Sequence, residues 1–191
     1  MKMCLATVLL LVLGGNVPAL AQRARRSARE ADTGPVNVTR SAALRIAIAS
    51  DAVGLFEYLV DSKKLAEWFP DQAIMEPQLG GRYHFRWAGA EGVWNGIVTE
   101  FIRGNAISFT WQPPGEEYET SVHFRLFPQG AETVVALTHS GFTSSAALEK
   151  AISAWVFSLR NLKSVVEEGT DLRGQARRAP VPARSRRSPG A

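Results

Sequence analysis

The acid–base chemistry open to this chain rests on three histidines, His84, His123 and His139, and on carboxylates that mostly stand alone. An imidazole titrates near neutrality, so a histidine aimed into a cavity can act as a general base or donate a hydrogen bond to a ligand. His84 alternates with Arg82 and Arg86, and His123 with Ser121 and Arg125, so strand periodicity turns both toward solvent. His139 is in phase with Val135 and Leu137 and is expected to point inward near a rim, either as a functional group or held by backbone partners. Glu116, Glu117 and Glu119 follow Pro113-Pro114-Gly115 and read as a solvated hairpin tip. Glu100, in a strand beside Val98, reads as part of an edge or cross-strand pair with a basic neighbour, with a buried acid of raised pKa as the alternative. No two histidines have metal-ligand spacing, and no HExxH motif, nucleophile elbow or Gly-rich phosphate loop occurs. The sequence therefore predicts no catalytic residue, no metal and no cofactor.

Positioning falls to alternating strands and one long helix. Ala42 to Ile48 reads as a first strand, followed by two short helices. Ser50 or Asp51 can cap the first, and Asp61 or Ser62 the second, which stops before Pro70. Five strands at hairpin spacing come next: 82–87, 93–102, 106–111, 120–127 and 133–139. Tyr83, Phe85 and Trp87 share a face, as do Ile107, Phe109 and Trp111, and Val122, Phe124 and Leu126. Such a meander needs a cover. Residues 145–168 supply it, with Leu148, Ile152, Trp155, Leu159, Leu162 and Val166 at three- and four-residue intervals, Lys150, Arg160, Lys163 and Glu167 largely off that stripe, and Gly169 as the stop. Periodicity alone gives an α+β domain.

Five short signatures run through this pattern in order: Trp68-Phe69-Pro70, Leu79-Gly80-Gly81, Gly96-x-Val98-x-Glu100 ahead of Phe109-Thr110-Trp111, Leu137-Thr138-His139-Ser140-Gly141-Phe142, and the helix around Trp155, Leu159 and Leu162. Together, from about Val38 to Glu168, they resemble the family related to the activator of the heat-shock-protein-90 ATPase, in the SRPBCC or START-like superfamily. Where relatives often have a Pro-rich turn before the Phe-Thr-Trp strand, this chain has Arg103-Gly104-Asn105, an equally good tight turn. The resemblance implies a helix-grip fold, a curved antiparallel sheet around the C-terminal helix, with a cavity between them. Tyr83, Phe85, Trp87, Phe109, Trp111, His139 and Trp155 are the expected ligand contacts, with Trp68, Phe69 and Phe142 as further aromatics near that space. Any single aromatic at sheet period can equally be plain core.

The ends differ in kind from the middle. Residues 1–21 read as an export signal: Lys2, an apolar run from Leu5 to Leu13, helix breakers Gly14, Gly15 and Pro18, then Ala19-Leu20-Ala21. The only cysteine, Cys4, lies within it, so the mature chain would have no disulfide, cysteine nucleophile or thiolate ligand. A polar Arg-rich linker (22–35) precedes the domain (36–170), and a basic Pro/Arg-rich tail (171–191) is expected to be disordered. The formal net charge is +4 and the pI near 9.6, yet residues 36–168 carry 11 basic and 15 acidic side chains. The basicity belongs to the flanks, which either stay solvated without a partner, associate with the acidic domain itself, or meet an anionic envelope surface, a better match than nucleic acid for an exported protein.

The expected function is an exported, periplasmic or secreted, module binding an apolar or amphipathic small molecule. The alternative is a cyclase- or hydratase-like enzyme using polar rim residues such as His139, Tyr83 or Glu100. Chaperone activation, which the family's name suggests, ranks third, because an exported protein would not meet a cytosolic ATP-driven chaperone.

Overall fold

A computed structural model describes residues 39–176. The expected export signal (1–21), the expected linker (22–35) and most of the expected tail (171–191) lie outside the described residues.

Strand β1 (Arg40–Ile48) leads into helices α1 (Ala52–Val60) and α2 (Ser62–Trp68), then strands β2 (Gln72–Met75), β3 (Arg82–Arg86), β4 (Trp94–Ile102), β5 (Ala106–Trp111), β6 (Thr120–Gln129) and β7 (Glu132–Phe142). Helix α3 (Ser145–Glu168) follows, and a short turn of helix, α4 (Arg173–Ala176), ends the described chain. All seven strands form one antiparallel sheet in the order β1-β7-β6-β5-β4-β3-β2. The meander runs unbroken from β2 to β7, and β1 crosses to the far edge to pair with β7. This is the helix-grip α+β fold.

Local chemistry explains the element boundaries. Of the two candidate caps for each short helix, the aspartate is used. Asp51 Oδ1 accepts from Gly54 N at 2.9 Å, and Asp61 Oδ1 accepts from Lys63 N and Lys64 N at 2.9 and 3.0 Å. Ser62 is left free to tie in the sheet, its hydroxyl accepting from Met75 N at 3.0 Å. That bond belongs to β2, a strand the sequence did not announce, because Gln72-Ala73-Ile74-Met75 has no polar–apolar alternation. Between β4 and β5 the Arg103-Gly104 turn closes with Asn105 N donating to Ile102 O, and Gly104 alone takes the left-handed conformation, φ 73°. Gly169 terminates α3 in the same way, at φ 65°.

The core sits between the concave face of the sheet and the helices. Ile48, Leu55, Tyr83, Phe85, Val98, Ile107, Val122, Leu126, Val135, Leu137 and Leu162 are fully buried in it. Gly96 matters here: a Cβ at that position would lie 2.5 Å from the Tyr83 ring, so only glycine lets the ring cross β4 and donate its hydroxyl to Thr110 O at 2.7 Å. Helix α3 is stapled to β1 by two residues expected to be simply off the stripe. Lys163 Nζ donates to Ala47 O at 2.8 Å, and Glu167 Oε1 accepts from Ala49 N at 2.7 Å.

The folded domain also extends past the boundary expected at residue 170. Buried Asn161 donates to Trp68 O at 2.7 Å and to Asp171 Oδ1 at 3.0 Å, and accepts from Leu172 N at 2.6 Å. Arg173 then caps the C-terminal end of α2, donating to Ala66 O, Glu67 O and Pro70 O at 2.7–2.9 Å. The first residues of the expected disordered tail are therefore part of the fold, because these carbonyls have no intrahelical donor and the guanidinium supplies one.

A candidate ligand cavity under the first half of the long helix

Helix α3 changes character along its length. Its second half presses Leu159, Leu162 and Val165 into the core. Its first half turns Ala147, Ala151 and Ala154 toward the cavity, at the four- and three-residue spacing of one helical face, and Ser158 continues that face just past the midpoint. Small side chains there leave space that large ones fill further on, and the result is a cavity of about 450 Å3. That lies within the range of roughly 300–1,000 Å3 typical of small-molecule sites.

Its walls come from five places. Phe69 enters from the turn after α2, Trp94 from β4, Trp111 from β5, His139 and Phe142 from β7, and Trp155 from α3. The β5–β6 loop adds Pro113, Glu116 and Tyr118, and α3 adds Lys150; the exposed Glu116 and Lys150 mark the mouth. Neighbouring hairpins meet here: a Cβ on Gly92, in the β3–β4 loop at φ 86°, would lie 2.6 Å from Pro114 Cβ, so that glycine lets the two loops close on each other.

The polar atoms of the wall form a directed chain. Indole nitrogen only donates, so Trp155 Nε1–H donates to His139 Nδ1 at 2.9 Å. That fixes the proton of His139 on Nε2, which donates to Thr120 Oγ1 at 2.7 Å, and the Thr120 hydroxyl donates onward to Trp111 O at 2.8 Å. Both ring nitrogens are thereby committed. Burial lowers the His139 pKa to about 4, so the ring is neutral at physiological pH. Gly141, at φ 101°, keeps β7 close to Thr120, since a Cβ there would approach Thr120 Cα to 3.3 Å. The partners of His139 are thus side chains, not the backbone groups that the sequence suggested as one option.

Of the seven expected contacts, Trp111, His139 and Trp155 line the cavity. Trp87 does not: it lies across Phe69, in a smaller recess of about 280 Å3 shared with Trp68 and Arg173. Tyr83, Phe85 and Phe109 do not either and are core residues, 0–3% exposed. They share the correct face of the sheet but lie beneath cavity-lining aromatics: Phe69 covers Phe85, its ring centroid 5.7 Å from Phe85 and 5.0 Å from Trp155, and Trp111 packs on Phe109 at 6.2 Å. The correction extends to the mouth. Glu116, taken as a solvated tip, and Lys150, taken as off the stripe, both line it, as do Trp94 and Tyr118, for which no sequence expectation was made. The alanine spacing on α3 was the available signal.

The remaining histidines behave as strand parity predicted, with one elaboration. His84 is exposed and meets Asn95. His123 Nδ1 lies 2.9 Å from Glu100 Oε2, Arg125 3.5 Å from the other carboxylate oxygen, and Ser108 donates to Glu100 at 2.9 Å. This is the cross-strand pairing expected of Glu100, on the convex face. Ser108 and Glu100 both meet the same ring nitrogen, which is not the arrangement of a nucleophile–base–acid triad. Among the described residues, no group of three or more His, Cys, Asp or Glu could hold a metal ion, and no helix is long and apolar enough to cross a membrane.

Solved structures share this architecture. Protein MLL2253 from Mesorhizobium loti superposes with a TM-score of 0.62 at 21% identity, over 69% of this chain and 99% of its own. The Aha1 dimer from Colwellia psychrerythraea matches with a TM-score of 0.62 at 22% identity, over 69% and 98%. CalU16 from Micromonospora echinospora matches with a TM-score of 0.59 at 19% identity, over 69% and 78%. At these identities the likeness is one of fold. No curated protein matches the chain. Residues 51–167 match the family model described as Activator of Hsp90 ATPase homolog 1-like protein. The chain belongs to that Activator of Hsp90 ATPase homolog 1-like family, within the SRPBCC superfamily.

Proposed function

We propose that this protein binds an apolar or amphipathic small molecule in the cavity beneath the first half of α3, after export directed by residues 1–21. The observation that carries this reading is an aromatic-walled space of about 450 Å3 in which the Trp155, His139 and Thr120 polar groups are already paired with one another. A ligand entering it meets ring faces in the interior and charged groups only at the mouth, where Lys150 and Glu116 stand. Such a site rewards burial of apolar surface, at about 25 cal/mol per Å2. His139, the best sequence candidate for a general base, has no free lone pair in this arrangement, which favours binding over turnover. The basic residues outside 36–168 supply a second attachment, to an anionic envelope surface.

Native mass spectrometry of protein recovered from its own envelope fraction, followed by titration of the stripped protein with decanoate and a hydrophobic fluorescent probe, tests the proposal. Saturable one-to-one binding that is abolished by Ala151→Phe, with the melting temperature retained, is the expected result. Binding untouched by that filling substitution would place the ligand elsewhere. Failure of every apolar compound to bind would remove the reading altogether.

A further inference from the structure

Beside the ligand cavity, and sharing Phe69, Ala154 and Ser158 with it, lies the recess of about 280 Å3. Its other walls are Trp68, Trp87, Phe157 and the side chain of Arg173. Phe157 is 39% exposed, although it belongs to the same helix that buries Trp155 and Leu159. Exposed aromatic surface in a concave setting gains from being covered. The backbone acceptors at its edge are already in use. Phe69 O accepts from Trp87 Nε1 at 3.0 Å and from Arg173 Nη1 at 3.3 Å, and Pro70 O accepts from Arg173 at 2.7 Å. An occupant with few N–H groups of its own suits such a wall, since each buried donor needs an acceptor.

The chain itself carries a segment of that kind, and carries it to this place. Arg173 opens α4, which ends at Ala176, one helical turn further on. The sequence continues, outside the described residues, as Arg177-Arg178-Ala179-Pro180-Val181-Pro182-Ala183. Ala179 is at most about 11 Å of extended chain beyond Ala176. Pro180 and Pro182 have no N–H, and each restricts the residue before it to extended backbone, so this stretch favours polyproline II and has little entropy left to lose. Such segments dock in aromatic-lined grooves, ring against ring. Five residues span roughly 15 Å in that conformation. We infer that residues 179–183 dock in the recess of their own domain, with Pro180 and Pro182 against Trp87 and Phe157. The tether makes even a weak contact effective, because it holds the segment at a high local concentration. The docked segment backs the wall that the recess and the ligand cavity share at Phe69 and Ala154. It also anchors the tail a second time, after Arg173, and leaves Arg184, Arg186 and Arg187 beyond the anchor for the anionic surface.

The sequence makes the test convenient. Cys4 is its only cysteine, so the mature chain from Gln22 has none, and Ser185→Cys takes a nitroxide label at a single site. In the 1H–15N spectrum of that labelled chain, the Trp87 indole signal and the Phe157 and Ser158 amide signals are expected to be lost and to return when the nitroxide is reduced. Ser121 and Thr138, on the convex face, are expected to keep theirs. A short tether alone brings the label near this end of the domain, so the decisive comparison is with two variants, Phe157→Ser and Pro180→Gly/Pro182→Gly, whose folding is checked by circular dichroism. The Trp87 and Ser158 signals are expected to recover in both. Signals that stay lost in both variants overturn the inference, since the tail is then held by something other than its prolines and the recess. Signals never lost overturn it as well. A mixture of spin-labelled 14N chain with unlabelled 15N chain separates the remaining case: loss in the mixture assigns the recess to the tail of a second copy and overturns docking within one chain.

Discussion

At the scale of single residues, His139 shows what parity can and cannot convey. Its phase with Val135 and Leu137 was enough to turn it inward, and it is 2% exposed. Its role was not readable, because that depends on Trp155 from a helix and Thr120 from another strand, neither adjacent in sequence. Tyr83, Phe85 and Phe109 show the same limit from the other side: alternation gives the face of a sheet but not the depth under it, and depth is set by rings distant in sequence, such as Phe69 over Phe85. The His139 pKa, lowered from 6.5 to about 4 by burial, makes a pH prediction. The unfolded chain takes up the proton first as pH falls, so the neutral ring's contribution is complete above 6.5 and is lost between 6.5 and about 4. Denaturant unfolding is expected to show stability falling by up to about 1.4 kcal/mol per pH unit from this one group. His139→Gln should remove that part of the slope, and an unchanged slope in the variant would mean that other groups govern the acid limb. His139→Ala, which leaves the buried Trp155 N–H without an acceptor, is expected to cost about 1–3 kcal/mol at pH 7 plus the cost of the space it opens.

At the scale of elements, the long helix and the meander were readable because each repeats its period for several turns or residues, and 145–168 emerged with its bounds intact. Strand β2 carries no period and stayed silent, and the 112–119 loop was readable as a hairpin tip but not as part of a cavity wall. The two-part design of α3 leads to opposite outcomes for similar substitutions. Leu159→Ala in the packed half should destabilise by about 2–5 kcal/mol. Enlarging Ala151 in the open half should remove ligand binding at little cost, both measurable by thermal melts beside a binding titration. The segment after α3 has comparable weight for its length. Arg173 meets the carbonyls of Ala66, Glu67, Phe69 and Pro70 and is partly buried. Truncation after Leu172 removes this cap and is expected to cost about 1–3 kcal/mol, whereas truncation after Ala176 leaves it in place. Equal melting temperatures for the two truncations would show that the cap is replaceable by water.

At the scale of the whole molecule, charge is sorted by region: residues 36–168 are net acidic and the flanks hold the basic excess. If residues 1–21 direct export as proposed, cleavage after Ala21 is expected to give a mature chain beginning at Gln22, which intact-mass measurement of envelope protein checks. A product retaining Met1 in the cytosol would defeat the export reading and with it the envelope partner. Association of the mature protein with anionic vesicles is expected at low salt and to fade as ionic strength rises and the Debye length shortens toward about 8 Å.

The placement of β1 beside β7 bears on time as well as shape. Arg40 pairs with Phe142 and Ile48 with Thr133, so the first strand has no neighbour in the sheet until nearly the whole domain exists. The cover for the concave face, α3, comes later still. Closing so long a loop must precede the contacts that reward it, which places folding in the slow, non-local regime of milliseconds to seconds. A chain emerging from synthesis or from a translocation pore stays unfinished until its last third has appeared, and its apolar strands are open to wrong partners for that interval. Moving β1 to follow α3 by circular permutation would make its pairing with β7 a near neighbour in sequence, and refolding rate, not stability, is where that change should register.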